Sequence, residues 1–312
     1  LVTSLLHIVK MGRDKAPLSK LVITPFVVPR DNYIYLVTCP AMQQCVLIDA
    51  GYSEKVVQLL DVLPMDLIGI CLTHTHQDHI GGLDQYMERF PRATVYASQR
   101  AHLTSLLDRM GVTPETPVEG DEERMRLHYI QEGEEESLFN WPGVDFTAKH
   151  TQGHTQDCVS YLVETDSEAV VEDPFNKYSH HRSSSALFSG DALFPCGCGR
   201  LFDGSAQQMQ DSFDWIRTST EPETLVLSGH EYTQANVAFA LSVDPENPVL
   251  QSLRDTERKG PSTMAEEVAA NPFYTCSTSL RPFLRMEDTE TETYQPWQCL
   301  KRMREIKDTF RG

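Results

Sequence analysis

The stretch Thr73-His74-Thr75-His76-Gln77-Asp78-His79-Ile80-Gly81-Gly82 packs three imidazoles and a carboxylate into the six positions from His74 to His79. It follows an apolar run, Leu67 to Leu72, that reads as a buried strand, and it precedes Leu83 to Phe90, which reads as a helix. A strand end opening into a helix start lets several side chains point at one spot above a rigid edge. His74 and His76, two apart in extended chain, project to the same side. Asp78 and His79 come where the chain turns, so they aim elsewhere and suit a second metal better than the first. Gly81-Gly82 removes side-chain bulk where the backbone is expected to pass close to the ions. Isolated histidines are ordinarily structural, but this density at this spacing specifies a two-metal site.

The composition sets the frame. At 312 residues the chain accommodates one large domain and a smaller one. Hydrophobic content of 40% and charged content of 23% are those of an ordinary globular protein. No apolar run is long enough to cross a bilayer, so no membrane partner is expected. A net charge of -18 argues against nucleic acid, whose phosphates need clustered Lys and Arg. Inside that acidic chain Lys301 to Gly312 is locally basic. The eight cysteines are scattered, several in apolar runs, and Cys196-Gly197-Cys198 is too tight for a zinc-finger pair. A reduced intracellular compartment follows, cytoplasmic or mitochondrial. Residues 1–20 are locally basic and read either as the tail of an organelle-targeting segment or as a disordered or edge-strand extension.

Taken in order, Leu21 to Val28, Tyr33 to Val37 and Cys45 to Asp49 read as strands, with a turn at Pro29-Arg30-Asp31-Asn32. Ser53 is placed to cap a helix carrying Val56, Val57, Leu59, Leu60 and Leu63. Thr94 to Ala97 reads as a strand and Arg100 to Met110 as a helix. Residues 113–142 read as an exposed insertion, rich in Glu, Pro and Gly. Val144 to Ala148 is a strand that delivers His150-Thr151-Gln152-Gly153-His154-Thr155. Ser160 to Val163 is a strand, and 164–185 reads as a second insertion in which His180 and His181 are solvated. Ala186 to Asp191 and Thr224 to His230 each read as strand, Gly and ligand, with a helix from Gln207 to Thr218 between them. Helical periodicity then takes over at Thr233 to Leu241, Pro248 to Lys259 and Gln295 to Phe310. The domain change is placed after His230, giving residues 21–230 and 231–312. Hairpins followed by strands alternating with helices fit sheets between helical layers, an α+β architecture.

An apolar strand ending in Gly or Thr and then a potential ligand therefore occurs four times. His74, His76 and His154 are assigned to one ion, Asp78, His79 and His230 to the other, and Asp191 bridges both. Alone, Asp191 or His230 would be a capped loop residue. Four segments with the same strand-end context make the ligand reading the better one. Imidazole and carboxylate suit zinc, iron(II) or manganese, and with no thiolate offered copper(I) and iron–sulfur clusters are disfavoured. Open positions on both ions would let a shared water lose a proton near neutral pH. His150 is assigned to hydrogen bonding around the ligands.

The motif Thr-His-x-His-x-Asp-His-x-Gly-Gly, with His154, Asp191 and His230, resembles the metallo-β-lactamase superfamily. Further stretches narrow the resemblance: Asp31 to Leu36, Phe188 to Phe194, Gly197-Cys198-Gly199-Arg200, Gly229-His230-Glu231-Tyr232-Thr233, Pro261 to Glu267 and Asn271-Pro272-Phe273. They are similar to the hydroxyacylglutathione hydrolases, the glyoxalase II family, from about Leu21 to the end apart from the two insertions. The resemblance implies a four-layer αββα sandwich with a C-terminal helical domain and two divalent ions, zinc foremost. It also implies thioester hydrolysis by a metal-bound hydroxide that Asp78 and Asp191 hold in line. The substrate implied is S-D-lactoylglutathione, cleaved to D-lactate and glutathione in methylglyoxal detoxification by a monomer. Arg200, Tyr232, Arg304 and Lys307 fall at the positions that hold glutathione. On spacing alone, Arg304 and Lys307 would be a solvated helix face. Departures are Arg200 where the family often has Lys, Phe202 where it has Tyr, and Gln77 where it has Trp. The rival readings are a persulfide dioxygenase with a single iron, a lactonase or general thioesterase of the same superfamily, and a binding module without activity.

Overall fold

The computed structural model describes residues 21–29, 31–101, 103, 126–172, 180–286 and 293–311. Two compact units emerge. One holds the described residues up to His150 together with Tyr161–Ser185, and the other holds Thr151–Ser160 with Ala186 onward.

In the first unit β1 (Val22–Val27), β2 (Tyr33–Cys39) and β3 (Gln44–Ile48) form an antiparallel ladder. β2 is buried along its whole length, as a strand with both faces covered must be. From β3 onward the pairing is parallel, through β4 (Asp66–Cys71), β5 (Thr94–Ser98) and β6 (Arg126–Ile130). Parallel neighbours need a crossover, which α1 (Glu54–Val62) supplies between β3 and β4. Val56, Val57, Leu59 and Leu60 bury its apolar face in a core shared with Ile34, Leu36, Leu47 and Ile70. Ser53 stands at the helix start but makes no capping bond with its side chain. Ile48 lies opposite Cys71 in the β3–β4 register, so the segments leaving both strands emerge side by side.

Both segments assigned to insertions are more regular than their composition suggests. Within 113–142, β6 pairs with β5, and β7 (Glu136–Ser137) pairs with β8 (Val144–His150). Leu138 and Trp141 are buried, and Trp141 Nε1 donates to Gln44 Oε1 at 2.7 Å. Three aromatic rings, Phe139, Trp141 and Phe146, supply the apolar surface that the surrounding acids hide from a composition count. Within 164–185, β9 (Val159–Glu172) and β10 (His180–Gly190) run far into the assigned loop. Ser183 and Ser185 are buried while Arg182 and Ser184 are exposed. This is the period of a strand, written in serines that carry no hydrophobic signal. The helix expected at Arg100 to Met110 falls largely outside the described residues, and the extension 1–20 wholly so.

In the second unit the end of β10 pairs in parallel with β11 (Leu225–Ser228), and β12 (Ser262–Thr263) adds antiparallel to β11. α2 (Gln77–Ile80) and α3 (Leu83–Arg89) belong to the first unit; the helices of the second begin with α4 (Ala206–Ser219). They continue with α5 (Thr233–Val243), α6 (Pro248–Asp255), α7 (Met264–Ala270), α8 (Pro272–Thr275), α9 (Arg281–Leu284) and α10 (Pro296–Thr309). Capping boxes start α4 at Ser205 with Gln208 and α7 at Thr263 with Glu266. Val237, Ala240, Leu250, Leu253 and Ala270 pack with Cys196 into their core. No helix among the described residues is long and apolar enough to cross a membrane. All eight cysteines are buried and free, and burial pushes the Cys45 thiol up to about 12.

Glu267 of α7 is fully buried and accepts from Cys196 N at 3.0 Å and from Asn271 Nδ2 at 2.8 Å. Burial outweighs these bonds and pushes its carboxyl up to about 7. The folded chain therefore holds a proton that the unfolded chain releases near pH 4.5. Stability is full below that value and falls as pH rises toward about 7. Glu267→Gln keeps the shape of the neutral acid. Its melting temperature should exceed that of the parent by several degrees at pH 8 and match it at pH 4.5. Equal melting curves at pH 8 would show that the buried charge costs nothing.

Candidate metal centre

Four of the seven sequence-predicted ligands lie in the first unit. Asp49, leaving β3 with φ 63°, turns its carboxylate toward the segment leaving β4. It accepts from Thr73 N at 2.7 Å and Thr73 Oγ1 at 2.9 Å, and it faces His79 Nδ1 at 2.7 Å. The nitrogen facing the carboxylate carries the proton, so His79 presents a lone pair at Nε2. Thr73 spends its hydroxyl proton on Asp49 and accepts from His74 Nδ1 at 3.1 Å, which leaves His74 Nε2 as a lone pair as well. That atom lies 3.1 Å from His76 Nδ1. The His74 and His79 rings are 4.1 Å apart at their centroids, and both residues are buried. His76 is half-buried, and Asp78 is exposed in the first turn of α2. The Asp78 carbonyl is fixed by Asn32 Nδ2 at 2.6 Å. A Cβ at Gly82 would come within 2.9 Å of Tyr52 Cα and 3.0 Å of Gly51 O. The small residue is therefore needed where two backbones cross.

The other three sequence-predicted ligands lie in the second unit. Gly190 is opposite Ser228 in the β10–β11 register, and Gly229 N donates to Gly190 O at 2.8 Å. Asp191 and His230 therefore leave neighbouring strands together. Asp191 Oδ2 lies 3.5 Å from His154 Nε2 and 3.5 Å from His230 Nε2. His154 Nδ1 donates to the Arg200 carbonyl at 2.7 Å, so its Nε2 presents a lone pair to a carboxylate. Such a contact is too long for a charge-assisted hydrogen bond, which runs about 2.7–2.9 Å. It suits donors sharing a cation, since a tetrahedral ion with bonds of about 2.0–2.1 Å spaces its ligands roughly 3.3–3.4 Å apart. The donor sets thus fit divalent ions. A Cβ on Gly199 would fall 2.2 Å from Asp191 O and 2.7 Å from His154 Nδ1, which explains the glycine before Arg200. The His154 loop is tied to α4 by Gln208 Nε2, which donates to Gln152 Oε1 at 3.1 Å and to Gln156 Oε1 at 2.9 Å.

The sequence-predicted glutathione contacts also lie in this unit. Arg304 is buried, not solvated: Nη1 donates to Cys198 O at 2.9 Å, and Nη2 and Nε reach Asp308 Oδ1 at 2.9 and 3.1 Å. Lys307 Nζ donates to Asn236 Oδ1 at 3.0 Å and sits 4.7 Å from the centroid of Phe239. Desolvation, and then the Arg304 charge, push its ammonium down to about 8. Arg200 is exposed, with Nε 3.6 Å from Asp308 Oδ1. Tyr232 is half-buried, its ring 4.9 Å from that of His230 and nearly parallel to it. Phe202 is exposed, edge-on to His154 at 5.2 Å.

The expected supporting role of His150 takes a different form, because its Nε2 donates to Ile130 O at 3.0 Å in β6. The sequence reading missed Asp49, Thr73 and Asn32. The strand-then-acid pattern that picked out Asp191 is also present at Ile48-Asp49, and was the signal available for Asp49.

Residues 27–171 match the metallo-beta-lactamase superfamily, and residues 231–310 match the hydroxyacylglutathione hydrolase C-terminus. A metallo-beta-lactamase from Staphylococcus aureus subsp. aureus COL superposes with TM-score 0.54 at 16% identity, over 93% of this chain and 72% of that one. ETHE1 from Myxococcus xanthus superposes with TM-score 0.52 at 22% identity, over 91% and 96%. At these identities the likeness is one of fold: the chain has the metallo-β-lactamase α+β sandwich with a C-terminal helical region. A hydroxyacylglutathione hydrolase from Synechococcus sp. (strain JA-2-3B'a(2-13)) is 36% identical over 290 residues, covering 90% of this chain and 96% of the relative. The chain belongs to the hydroxyacylglutathione hydrolase family.

Asp49→Asn should weaken metal retention about tenfold or more by releasing the His79 tautomer. Competition with a chromophoric chelator checks this, and retention equal to the parent's would remove Asp49 from the support of the site.

Proposed function

We propose that the protein hydrolyses S-(2-hydroxyacyl)glutathione thioesters, chiefly S-D-lactoylglutathione, to D-lactate and glutathione. His74, His76 and His154 hold one divalent ion, Asp78, His79 and His230 hold a second, and Asp191 is shared. Bound there, such ions supply a water acidic enough to attack at neutral pH and positive charge where the carbonyl oxygen becomes negative. Zinc suits these donors best, and iron(II) or manganese can take its place. The observation that carries the reading is a single carboxylate oxygen, Asp191 Oδ2, lying 3.5 Å from the Nε2 atoms of both His154 and His230.

The chain's own groups do the remaining work. Asp78 and Asp191 orient the attacking water. Arg304 and Lys307, with Arg200 beside Asp308, offer fixed cations for the two carboxylates of glutathione. The Tyr232 hydroxyl serves as a partner for the peptide. Addition of water to the acyl carbon breaks the C–S bond, and the glutathione thiolate leaves unaided near neutral pH. The enzyme works as a single chain, and its buried thiols suit a reducing compartment, cytoplasmic or mitochondrial.

Turnover of S-D-lactoylglutathione well above that of other acyl thiols, with two metals per chain on elemental analysis, is the expected result. One iron per chain with oxygen uptake would overturn the proposal. Asp191→Ala should abolish turnover and lower bound metal; full activity in that variant would exclude a shared ligand. Lys307→Ala should raise KM severalfold with a modest change in kcat. In the parent, KM should climb as pH rises through about 8, because the ammonium of Lys307 loses its proton there. The profile of Lys307→Ala should be flat across that range.

A further inference from the structure

Three of the other imidazoles assigned to the ions take their orientation from oxygen atoms: His79 from Asp49, His74 from Thr73 and His154 from the Arg200 carbonyl. His230 has an aromatic frame as well. The Tyr232 ring lies 4.9 Å from its ring and 4° from parallel. Phe194 meets both rings nearly edge-on, at 6.1 Å from His230 and 5.3 Å from Tyr232. The helix start does not account for this placement. Tyr232 occupies the N-cap position of α5, yet its side chain makes no capping bond. Nor is it deep core, since the residue is half-buried.

We propose that Tyr232 is a positioning residue for the ion that His230 holds, separately from any contact its hydroxyl makes with the thioester. The inference rests on the reading of His230 as a ligand. An imidazole bound to a cation gives up electron density, and the electron-rich face of a phenol attracts such a ring more strongly than a neutral one. The stack therefore favours the metal-loaded state over the empty one. Phe194 closes the edge of the pair and keeps the imidazole from tilting. Because one ring serves both the ion and the substrate, the two roles can be separated by chemistry: the hydroxyl belongs to the thioester, the ring face to the metal.

The test uses the metal-loaded full chain and the variants Tyr232→Phe, Tyr232→Trp and Tyr232→Leu. Metal release to a chromophoric chelator and metal content are read alongside KM for S-D-lactoylglutathione. Tyr232→Phe should release metal at the parent rate while its KM rises. Tyr232→Leu should release one of its two ions about three- to tenfold faster, the scale of an aromatic pair. Tyr232→Trp, which restores a ring, should restore retention. Parent-like release from the Leu variant overturns the inference, as does equal loss from the Phe and Leu variants. A parent protein that takes up no ion overturns the reading of the site itself. That outcome differs from one in which parent and Leu variant hold two ions equally.

Discussion

Parallel pairing is the constraint on which each group of proposed ligands depends. When two strands run side by side in the same direction, their carboxyl ends finish at the same edge. In β3–β4 that edge brings Asp49 against Thr73 at 2.7 Å. In β10–β11 it brings Gly190 against Gly229 at 2.8 Å, and with them Asp191 and His230. Neither arrangement needs the loops to find their own positions, because the ladder registers have already set them. Slipping either register by one residue would turn every side chain of the strand to the opposite face and move a carboxylate out of reach.

The residues proposed as ligands stand out in the sequence because their context repeats: apolar strand, small residue, donor. What stayed illegible is mostly what acts through another residue. Asp49 reads as an ordinary acid after a strand, and only the β3–β4 register, which joins residues distant in sequence, shows it oriented by Thr73 and facing His79. Ser183 and Ser185 are buried strand residues with no apolar signature, so a polar segment passed for a loop. Trp141 was outvoted by its acidic neighbours. The spacing of Arg304 and Lys307 gave a shared helix face correctly, yet could not say that the face is covered. That covering comes from Cys198, Asn236 and two aromatic rings, all far away in the chain.

The local charge runs against the global one. A chain of net charge -18 repels an anionic substrate at long range. Capture must then come from cations held at short range, where ions in solution screen them least. In the proposed role Arg304 would meet that need: its guanidinium is buried against Asp308 and a carbonyl, which fixes its direction. Lys307 gives up part of its basicity to the same enclosure.

The burial of all eight cysteines has a consequence for a protein that handles acyl–sulfur bonds. A free thiolate near a thioester can accept the acyl group itself, and a free thiolate near glutathione can form a mixed disulfide. Burial keeps the Cys198 thiol, close to the cations, protonated beyond its usual range. The chain's own sulfur is therefore kept out of the exchange chemistry of its proposed substrate and product, leaving water as the acceptor.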